Sequence, residues 1–463
     1  MISIAQQVYP HLPFWARCAA VNLRGYYLRR SRYDANTERL VEEALERDYW
    51  GQDDWERWRA ERLSFILHRA ATRVPYYRDQ WAERRRNGDR SSWEYLENWN
   101  VLEKRDLREM NSQFVADDCV RSKMYCDNTS GTTGTSLSIW LTRETVKRWY
   151  ALFEARCRRW YGVSLRERWA ILGGQLVTPF TQRRPPYWMW NNGLNQLYMS
   201  VHHLAPGETN HYLEAIVKYR IEYVFGYSAA IYCLAQEALR RGRRDIHLKV
   251  AITNAEPLYD YQREAIEAAF SCPVRETYGM AEIAAAASGC QNGRLHAWPD
   301  AGVLEIDPST VDENGSGDLI CTGLVNPDTP LIRYRVGDRG RLSDGECACG
   351  RNLPLLAGID GRTDDLLYGI DGRPCSHVHL VMGGDLPVVE AQIVQTALGA
   401  VKVLYVPDEG FAAEHIATIS QRICSRMGEV NVTFEEVSQV PRTANGKFRA
   451  VVCDLPPGER PGI

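Results

Sequence analysis

Hydrophobic and polar positions change their period several times along this chain. Between residues 36 and 110 the apolar positions fall at helical spacing, as in Leu40, Ala44 and Leu45 and again in Leu63, Ile66, Leu67 and Ala70, which predicts a helical N-terminal region. Val74-Pro75-Tyr76-Tyr77 ends that stretch, because the residue before proline is pushed out of the α region. Ser122 to Cys126 and Leu137 to Leu141 then read as short strands, followed by a helix from about Glu144 to Tyr161. Trp169–Leu172 runs into Gly173-Gly174, and Tyr223–Phe225 into Gly226-Tyr227-Ser228 and a helix to about Arg240. Val250–Thr253 runs into Asn254-Ala255-Glu256-Pro257 and a helix from Tyr259 to Phe270, and Val274–Thr277 into Tyr278-Gly279. This alternation predicts an α/β fold with largely parallel strands, whose carboxyl ends carry the ligand loops.

From Gly302 to Leu342 the pattern becomes strand-like around the turns Asn314-Gly315 and Asn326-Pro327, predicting an antiparallel or barrel-like, β-rich subdomain. Apolar runs at 401–406 and 430–434 flank a helix expected near 412–427. The chain therefore divides into a large domain, 1–360, and a small, mobile α+β domain, 361–463.

Composition alters this picture little. Of 463 residues, 44% are hydrophobic and 25% charged, and the net charge of −3 gives no global pull toward nucleic acid or an anionic membrane. No apolar run reaches the length of a membrane span, and Met1 to Gln7 has neither a basic region nor an apolar core of a secretion signal, so a cytoplasmic protein is expected. Arg24, Arg29, Arg30 and Arg32 near the start read as a solvated basic face, with docking to a membrane or partner left open. Thirteen cysteines without a secretion signal indicate reduced thiols.

The chemistry centres on Asn128-Thr129-Ser130-Gly131-Thr132-Thr133-Gly134-Thr135. Glycines let the backbone approach an anion, and amides and hydroxyls supply donors for phosphate oxygens. A Walker loop is excluded, because the terminal G-K-[ST] and its following helix are missing. Thr129 to Gly134 resembles the phosphate loop of the adenylate-forming superfamily of acyl-CoA synthetases, luciferases and adenylation domains. Ala255-Glu256-Pro257-Leu258, Tyr278-Gly279-Met280-Ala281-Glu282, Tyr334-Arg335-Val336-Gly337-Asp338, Gly361-Arg362-Thr363-Asp364-Asp365 and Gly446-Lys447 resemble further motifs of that superfamily, in its order. Within it, the chain is most similar to the phenylacetate-CoA ligase branch, including members linked to capsular polysaccharide genes.

The resemblance implies that a carboxylic acid attacks ATP to give an acyl-AMP, which then passes to CoA or to an amine or sugar. It places Thr129, Ser130, Gly131, Thr132, Thr133 and Gly134 on the β- and γ-phosphates. Ala255, Glu256, Pro257, Tyr278 and Gly279 fall around adenine, Asp338 on the ribose hydroxyls and Arg362 on ribose or phosphate. Glu282 would bind Mg2+, and Lys447 would bridge the acid and the α-phosphate, with Thr133 the third catalytic group. Asp364 would be the hinge of the small domain. Gly226, Tyr227, Ser228, Gly174 and Met280 are candidates for the acid pocket, an aromatic or arylacetic acid being expected, with Trp188, Met189, Trp190, His202 and His203 considered beside them.

Three departures stand against the pattern. Ala281 replaces a hydroxyl residue, Thr135-Ser136 follows the loop where many relatives have Lys-Pro, and Tyr368 to Pro374 differs from the segment that shapes a pantetheine tunnel. Separately, Cys290 and His296 form a C-x5-H pair, and Cys347-Ala348-Cys349-Gly350 a C-x-C-G turn. These are four ligands of the types tetrahedral Zn2+ prefers, in a structural role. A homodimer is compatible with the sequence, and a non-catalytic nucleotide-binding protein is the reading of another class, disfavoured because it has no need of Glu282, Asp338, Arg362 and Lys447 together.

Overall fold

The computed structural model describes residues 8–128, 137–175, 177–179, 182–204, 207–362, 367–372, 374, 375, 378–382, 386–443, 448–456 and 459. The N-terminal region is helical as expected, over Phe14–Arg32, Ala35–Arg47, Gln52–Arg73, Pro75–Arg86 and Lys104–Glu109. The second of these starts with a reciprocal cap. The Thr37 amide donates to Asp34 Oδ1 (3.0 Å), and the Asp34 amide donates to Thr37 Oγ1 (3.2 Å), satisfying donors the first turn leaves unpaired. Pro75 closes the third helix and opens the fourth from its first position, where a missing N–H costs nothing.

Strands β1 (Tyr125–Asn128) and β2 (Ser138–Leu141) form an antiparallel hairpin, whose connecting segment is the hydroxyl-rich loop. The first strand starts three residues later than expected, behind a short 3-10 turn at Arg121–Lys123. Then come β3 (Trp169–Gly173), β4 (Trp188–Asn191), β5 (Gln196–Ser200), β6 (Tyr223–Tyr227), β7 (Val250–Asn254), β8 (Val274–Gly279), β9 (Ala286–Gly289) and β10 (Leu295–Ala297). After them follow β11 (Gly302–Ile306), β12 (Gly317–Gly323), β13 (Tyr334–Ser343) and β14 (Leu355–Arg362). Among the described residues β3 to β14 make one sheet, in the order β11-β12-β13-β14-β10-β9-β8-β7-β6-β3-β5-β4.

The expected α/β and β-rich parts are thus continuous, and β8 is the seam. Its first half pairs parallel with β7 through Ala251↔Val274 to Thr253↔Glu276, and its second half pairs antiparallel with β9 through Thr277↔Ser288 to Gly279↔Ala286. All five residues of β6 are buried, which explains its unbroken apolar run, since a strand covered on both faces has no polar alternation. Helix Ser228–Arg240 covers it with Ile231, Leu234, Ala235 and Ala238. Each such side chain contributes about 1.5–3 kcal/mol by burial, so Leu234→Ala would cost ~2–5 kcal/mol.

Helix Phe14–Arg32, read above as a solvated basic face, packs on the edge strand β4. Gly25 permits that approach, because a Cβ there would lie 1.7 Å from Asn191 Oδ1. Its outer face leaves Trp15 and Leu23 exposed.

The small domain contains β17 (Val388–Ala397), β18 (Ala400–Pro407), β19 (Asn431–Glu436) and β20 (Val451–Cys453) in the order β19-β18-β17-β20, with helix Ala413–Met427 against them. The two-residue strands β15 (Leu367–Tyr368) and β16 (Pro374–Cys375) precede it. The boundary expected between 360 and 361 falls inside β14.

Candidate functional site

The carboxyl ends of β6, β7 and β8 lie side by side, and several of the described residues named above lie at or near them. At the end of β8, the Tyr278 hydroxyl donates to Asp338 Oδ2 at 2.9 Å. Burial, and then the Asp338 carboxylate, hold the Tyr278 phenol well above its ordinary range. Asp338 stands directly across from Arg362 in the β13–β14 register, so the backbone brings together two residues 24 positions apart.

Glu282, in the turn after β8, is 7% exposed. Its Oε1 accepts the Tyr334 hydroxyl at 3.2 Å and lies 3.6 Å from Lys104 Nζ. Burial, and then Glu282, push the Tyr334 phenol upward, which keeps it a donor. A carboxylate oxygen is the donor Mg2+ prefers, and Glu282 fits that ion.

Three non-glycine residues here take positive φ: Ala255 (64°), Ile283 (48°) and Arg333 (47°). Such conformations cost about 1–3 kcal/mol each and persist where surrounding structure fixes them. They border the motifs around Glu256, Glu282 and Tyr334.

Glu256 serves two partners. Its Oε2 accepts the Ala229 amide (3.0 Å) and the Ser228 hydroxyl (3.4 Å), capping helix Ser228–Arg240, while Oε1 accepts the Phe448 amide at 2.7 Å. Phe448 follows Lys447 in the chain, so this bond ties the small domain to the end of β7. Ala255 and Pro257 beside it are exposed, as is Gly279.

Two of the expected acid-pocket residues, Gly174 and Tyr227, meet. The Gly174 amide donates to Tyr227 Oη (3.1 Å), the Gln175 amide donates to Tyr198 Oη (3.1 Å), and His202 Nε2 lies 3.3 Å from the Gly174 carbonyl oxygen. Burial pushes the Tyr227 phenol up to about 12 and lowers His202. Gly226 is fixed by packing, since a Cβ there would lie 2.3 Å from the Leu172 carbonyl oxygen. Met280 packs at the rim of the adjoining core. Met189 stands directly across from Tyr198 in the β4–β5 register, whereas Trp188 and Trp190 do not join this group. They lie on β4, three strands from β6, or ~14 Å at ordinary strand spacing. Trp188 meets Tyr212 and Trp190 stacks on Tyr219. Their aromatic spacing signals packing at a sheet edge. His203 is likewise held by Ser200 and stacked on Tyr187.

Thr129, Ser130, Gly131, Thr132, Thr133, Gly134, Asp364 and Lys447 lie outside the described residues, as does the side chain of Arg362. Sequence reasoning gave no role to Lys104, Tyr334 or Tyr198. Tyr334 sat inside a quoted motif, whereas nothing local marks Lys104.

At the other end of the same strands, Cys290, His296, Cys347 and Cys349 converge, their ligand atoms all within 4.8 Å of one another. Cys290 Sγ and Cys347 Sγ are 3.6 Å apart, and Cys349 Sγ lies 3.4 Å from His296 Nε2. The sulfur separation is far too long for a disulfide and matches the ~3.7 Å edge of a tetrahedron with 2.3 Å zinc–sulfur bonds. Two tight turns present the ligands: the Gly293 amide donates to the Cys290 carbonyl and the Gly350 amide to the Cys347 carbonyl. Burial lowers His296 to about 4, leaving its imidazole neutral. These four residues fit Zn2+.

Between the helix following β6 and the small domain lies a cleft of about 740 Å3, lined by residues including Tyr232, Tyr261, Glu264, Glu390, Asp408 and Phe448.

A family model described as the CapK C-terminal domain matches residues 375–454. The chain is 27% identical to Protein CapK of Staphylococcus aureus over 349 residues, covering 72% of this chain and 75% of that protein. It is 26% identical to the phenylacetate-coenzyme A ligase of Thermus thermophilus over 297 residues, 57% of this chain and 67% of the relative. A crystal structure of 2-hydroxyisobutyryl-CoA ligase, in the postadenylation state with 2-HIB-AMP, superposes with a TM-score of 0.65 at 21% identity, covering 88% of this chain and 91% of that one.

Proposed function

We infer, for a chain whose homologues are CapK and the phenylacetate-coenzyme A ligases and whose fold is that of adenylate-forming CoA ligases, that it is an ATP-dependent, AMP-forming acid ligase. It joins a carboxylic acid, aromatic or arylacetic, to AMP with release of pyrophosphate, and then transfers the acyl group to CoA. The observation that carries this reading is the meeting of the Tyr278–Asp338 pair, buried Glu282 and the Glu256–Phe448 bond at one end of the sheet.

Each group has a task that its surroundings suit. Asp338, oriented by Tyr278, accepts hydrogen bonds from the ribose hydroxyls, and Arg362 reaches the nucleotide from the facing strand. Thr129 to Gly134 hold the β- and γ-phosphates, and Lys447 bridges the acid and the α-phosphate. Glu282 would hold Mg2+, which when bound neutralises phosphoryl charge. Gly174, Tyr227 and Ser228 line the acid pocket, where Tyr227 stays protonated at neutral pH. Cys290, His296, Cys347 and Cys349 would hold a structural Zn2+.

Acid-dependent exchange of labelled pyrophosphate into ATP, with CoA omitted and a panel of aryl, arylacetic and aliphatic acids, tests the reading. Exchange with an aromatic acid is expected, and silence across the panel from protein that binds ATP would overturn it. Asp364 is the proposed hinge. Asp364→Pro should spare this exchange and block thioester formation, and equal loss of both would remove the hinge.

One observation favours an amine acceptor as a second reading. The interdomain cleft contributes Glu264 and Asp408, together with Glu390 paired to Arg442, and no lysine or arginine among its described lining residues, a lining that suits a cation better than the phosphates of CoA. AMP release driven by CoA without any amine would count against it.

A further inference from the structure

Helix Phe14–Arg32 lies along the edge strand β4, and its two faces differ. On the inner face the Asn22 side-chain amide donates to the Trp190 carbonyl (3.4 Å), and the Asn22 side-chain oxygen accepts the Asn192 amide (2.8 Å). The outer face carries Trp15, Ala19, Leu23, Tyr26 and Arg30, all exposed, at spacings of three and four residues that set them in one stripe along the helix. Trp15 is 74% exposed and Leu23 73%, so the stripe is apolar surface that no described residue covers.

Charge around this helix is one-sided. Residues 8–33 contain five arginines and no aspartate or glutamate, and residues 168–207, which supply β3, β4 and β5, contain three arginines and again no acidic residue. The two segments adjoin, because Arg17 Nη2 donates to Gln182 Oε1 (3.2 Å), next to the exposed Arg183 and Arg184, and the Tyr9 hydroxyl donates to the Val177 carbonyl (2.9 Å). Among the described residues none of these eight arginine side chains forms an ion pair, whereas arginines of the β-rich part are paired, as Arg333 is with Glu305 and Arg339 with Asp318. A chain whose net charge is −3 thus gathers unneutralised arginine around one exposed aromatic stripe.

The occupant that suits both properties is an anionic bilayer surface. Indole and phenol rings settle at the level of lipid headgroups, leucine enters the acyl boundary, and flanking guanidiniums meet headgroup phosphates. The helix has 19 residues, a length of about 28 Å, and its five arginines let it lie on a membrane but not cross one. A second copy fits less well, because a two-fold contact through this face would set unpaired arginines against unpaired arginines with no carboxylate between them. A nucleic acid would meet the charge and leave Leu23 in water.

We propose that the outer face of helix Phe14–Arg32 is a peripheral docking surface for anionic phospholipid bilayers. Trp15, Leu23 and Tyr26 enter the headgroup layer, and Arg29 and Arg30 contact lipid phosphates. The docked region adjoins the rim of the proposed acid pocket, since Val177, held by Tyr9, is three residues beyond Gly174.

Sedimentation of the full chain with vesicles of phosphatidylcholine alone, or containing ~30% phosphatidylglycerol, tests this on wild type, Arg29→Glu/Arg30→Glu and Trp15→Ser/Leu23→Ser. Wild type is expected to bind the anionic vesicles ~10-fold or more tightly than phosphatidylcholine, and to lose that preference as salt rises to ~0.5 M. The charge reversal should weaken binding to anionic vesicles ~30-fold or more, and the serine pair ~10-fold or more, with thermal midpoints as in wild type. Should either variant misfold, modification of wild-type arginines by phenylglyoxal, read by mass spectrometry, takes its place, and anionic vesicles should protect Arg30. Absence of binding to anionic vesicles at low salt, full binding by the charge-reversed variant, or tighter binding to a duplex oligonucleotide than to vesicles would overturn the assignment. A wild-type dimer that the serine pair dissolves, without vesicle binding, would give the face to a second copy instead.

Discussion

Strands β9, β13 and β14 have a polar cluster at each end, and the two clusters differ in nearly every physical respect. At one end Glu282, Tyr334 and Asp338 present oxygen atoms, joined by the Tyr278–Asp338 and Tyr334–Glu282 hydrogen bonds and bordered by strained residues at 255, 283 and 333. At the other, Cys290, His296, Cys347 and Cys349 present sulfur and nitrogen in a knot under 5 Å across, closed by two tight turns. One sheet thus carries an oxygen-lined end, of the ligand type hard cations prefer, and a sulfur- and nitrogen-lined end closed by turns, of the ligand type Zn2+ prefers. On the function proposed above, the difference separates reactivity from stability along the length of the same strands.

Substitutions at the two ends should therefore fail in different measurements. The largest effects belong to the oxygen-lined end. Glu282→Gln and Lys447→Ala should each lower pyrophosphate exchange ~10²-fold or more, with the thermal midpoint unchanged and ATP binding largely retained in Lys447→Ala. Exchange at the wild-type rate in either variant would remove its assigned role.

At the closed end, Cys347→Ser should cut bound zinc from one per chain to near none and lower the thermal midpoint by ~5 °C. Exchange per folded chain should stay within about twofold. Metal analysis of wild type far below one zinc per chain would dissolve the contrast, and a large fall in exchange at an unchanged midpoint would make the corner catalytic.

Tyr278→Phe should have the smallest effect. It removes one hydrogen bond to Asp338, worth about 1 kcal/mol, and so should weaken ATP roughly fivefold. No change in nucleotide affinity would mean that Asp338 keeps its orientation without the phenol.

Much of this was legible in the chain itself. Val250 to Thr253 and the helix ending at Phe270 show in periodicity, because a doubly covered strand and an amphipathic helix leave unmistakable patterns. The cysteine and histidine knot was legible from ligand type, since two cysteines in one turn and a Cys/His pair in another have few other reasons to coexist. Trp188 and Trp190 misled for a physical reason: an aromatic run carries no mark of which strand lies beside it, and theirs is the sheet edge. The unity of the sheet was hidden as well, because β8 reads as one strand whatever it pairs with on each half. Lys104 was invisible, as it lies 178 positions from Glu282 and is brought there by the bridge of Leu102 to Tyr334.

Glu256 has a consequence for how the molecule divides its time. One oxygen caps helix Ser228–Arg240 and the other accepts the Phe448 amide, so opening that contact breaks the second bond and need not disturb the first. A hydrogen bond to a charged acceptor is worth about 1.5–3 kcal/mol, which on its own would leave a detached population on the order of 1–10%. A ligand preferring the detached arrangement by only a few hundredfold would then make it the majority state.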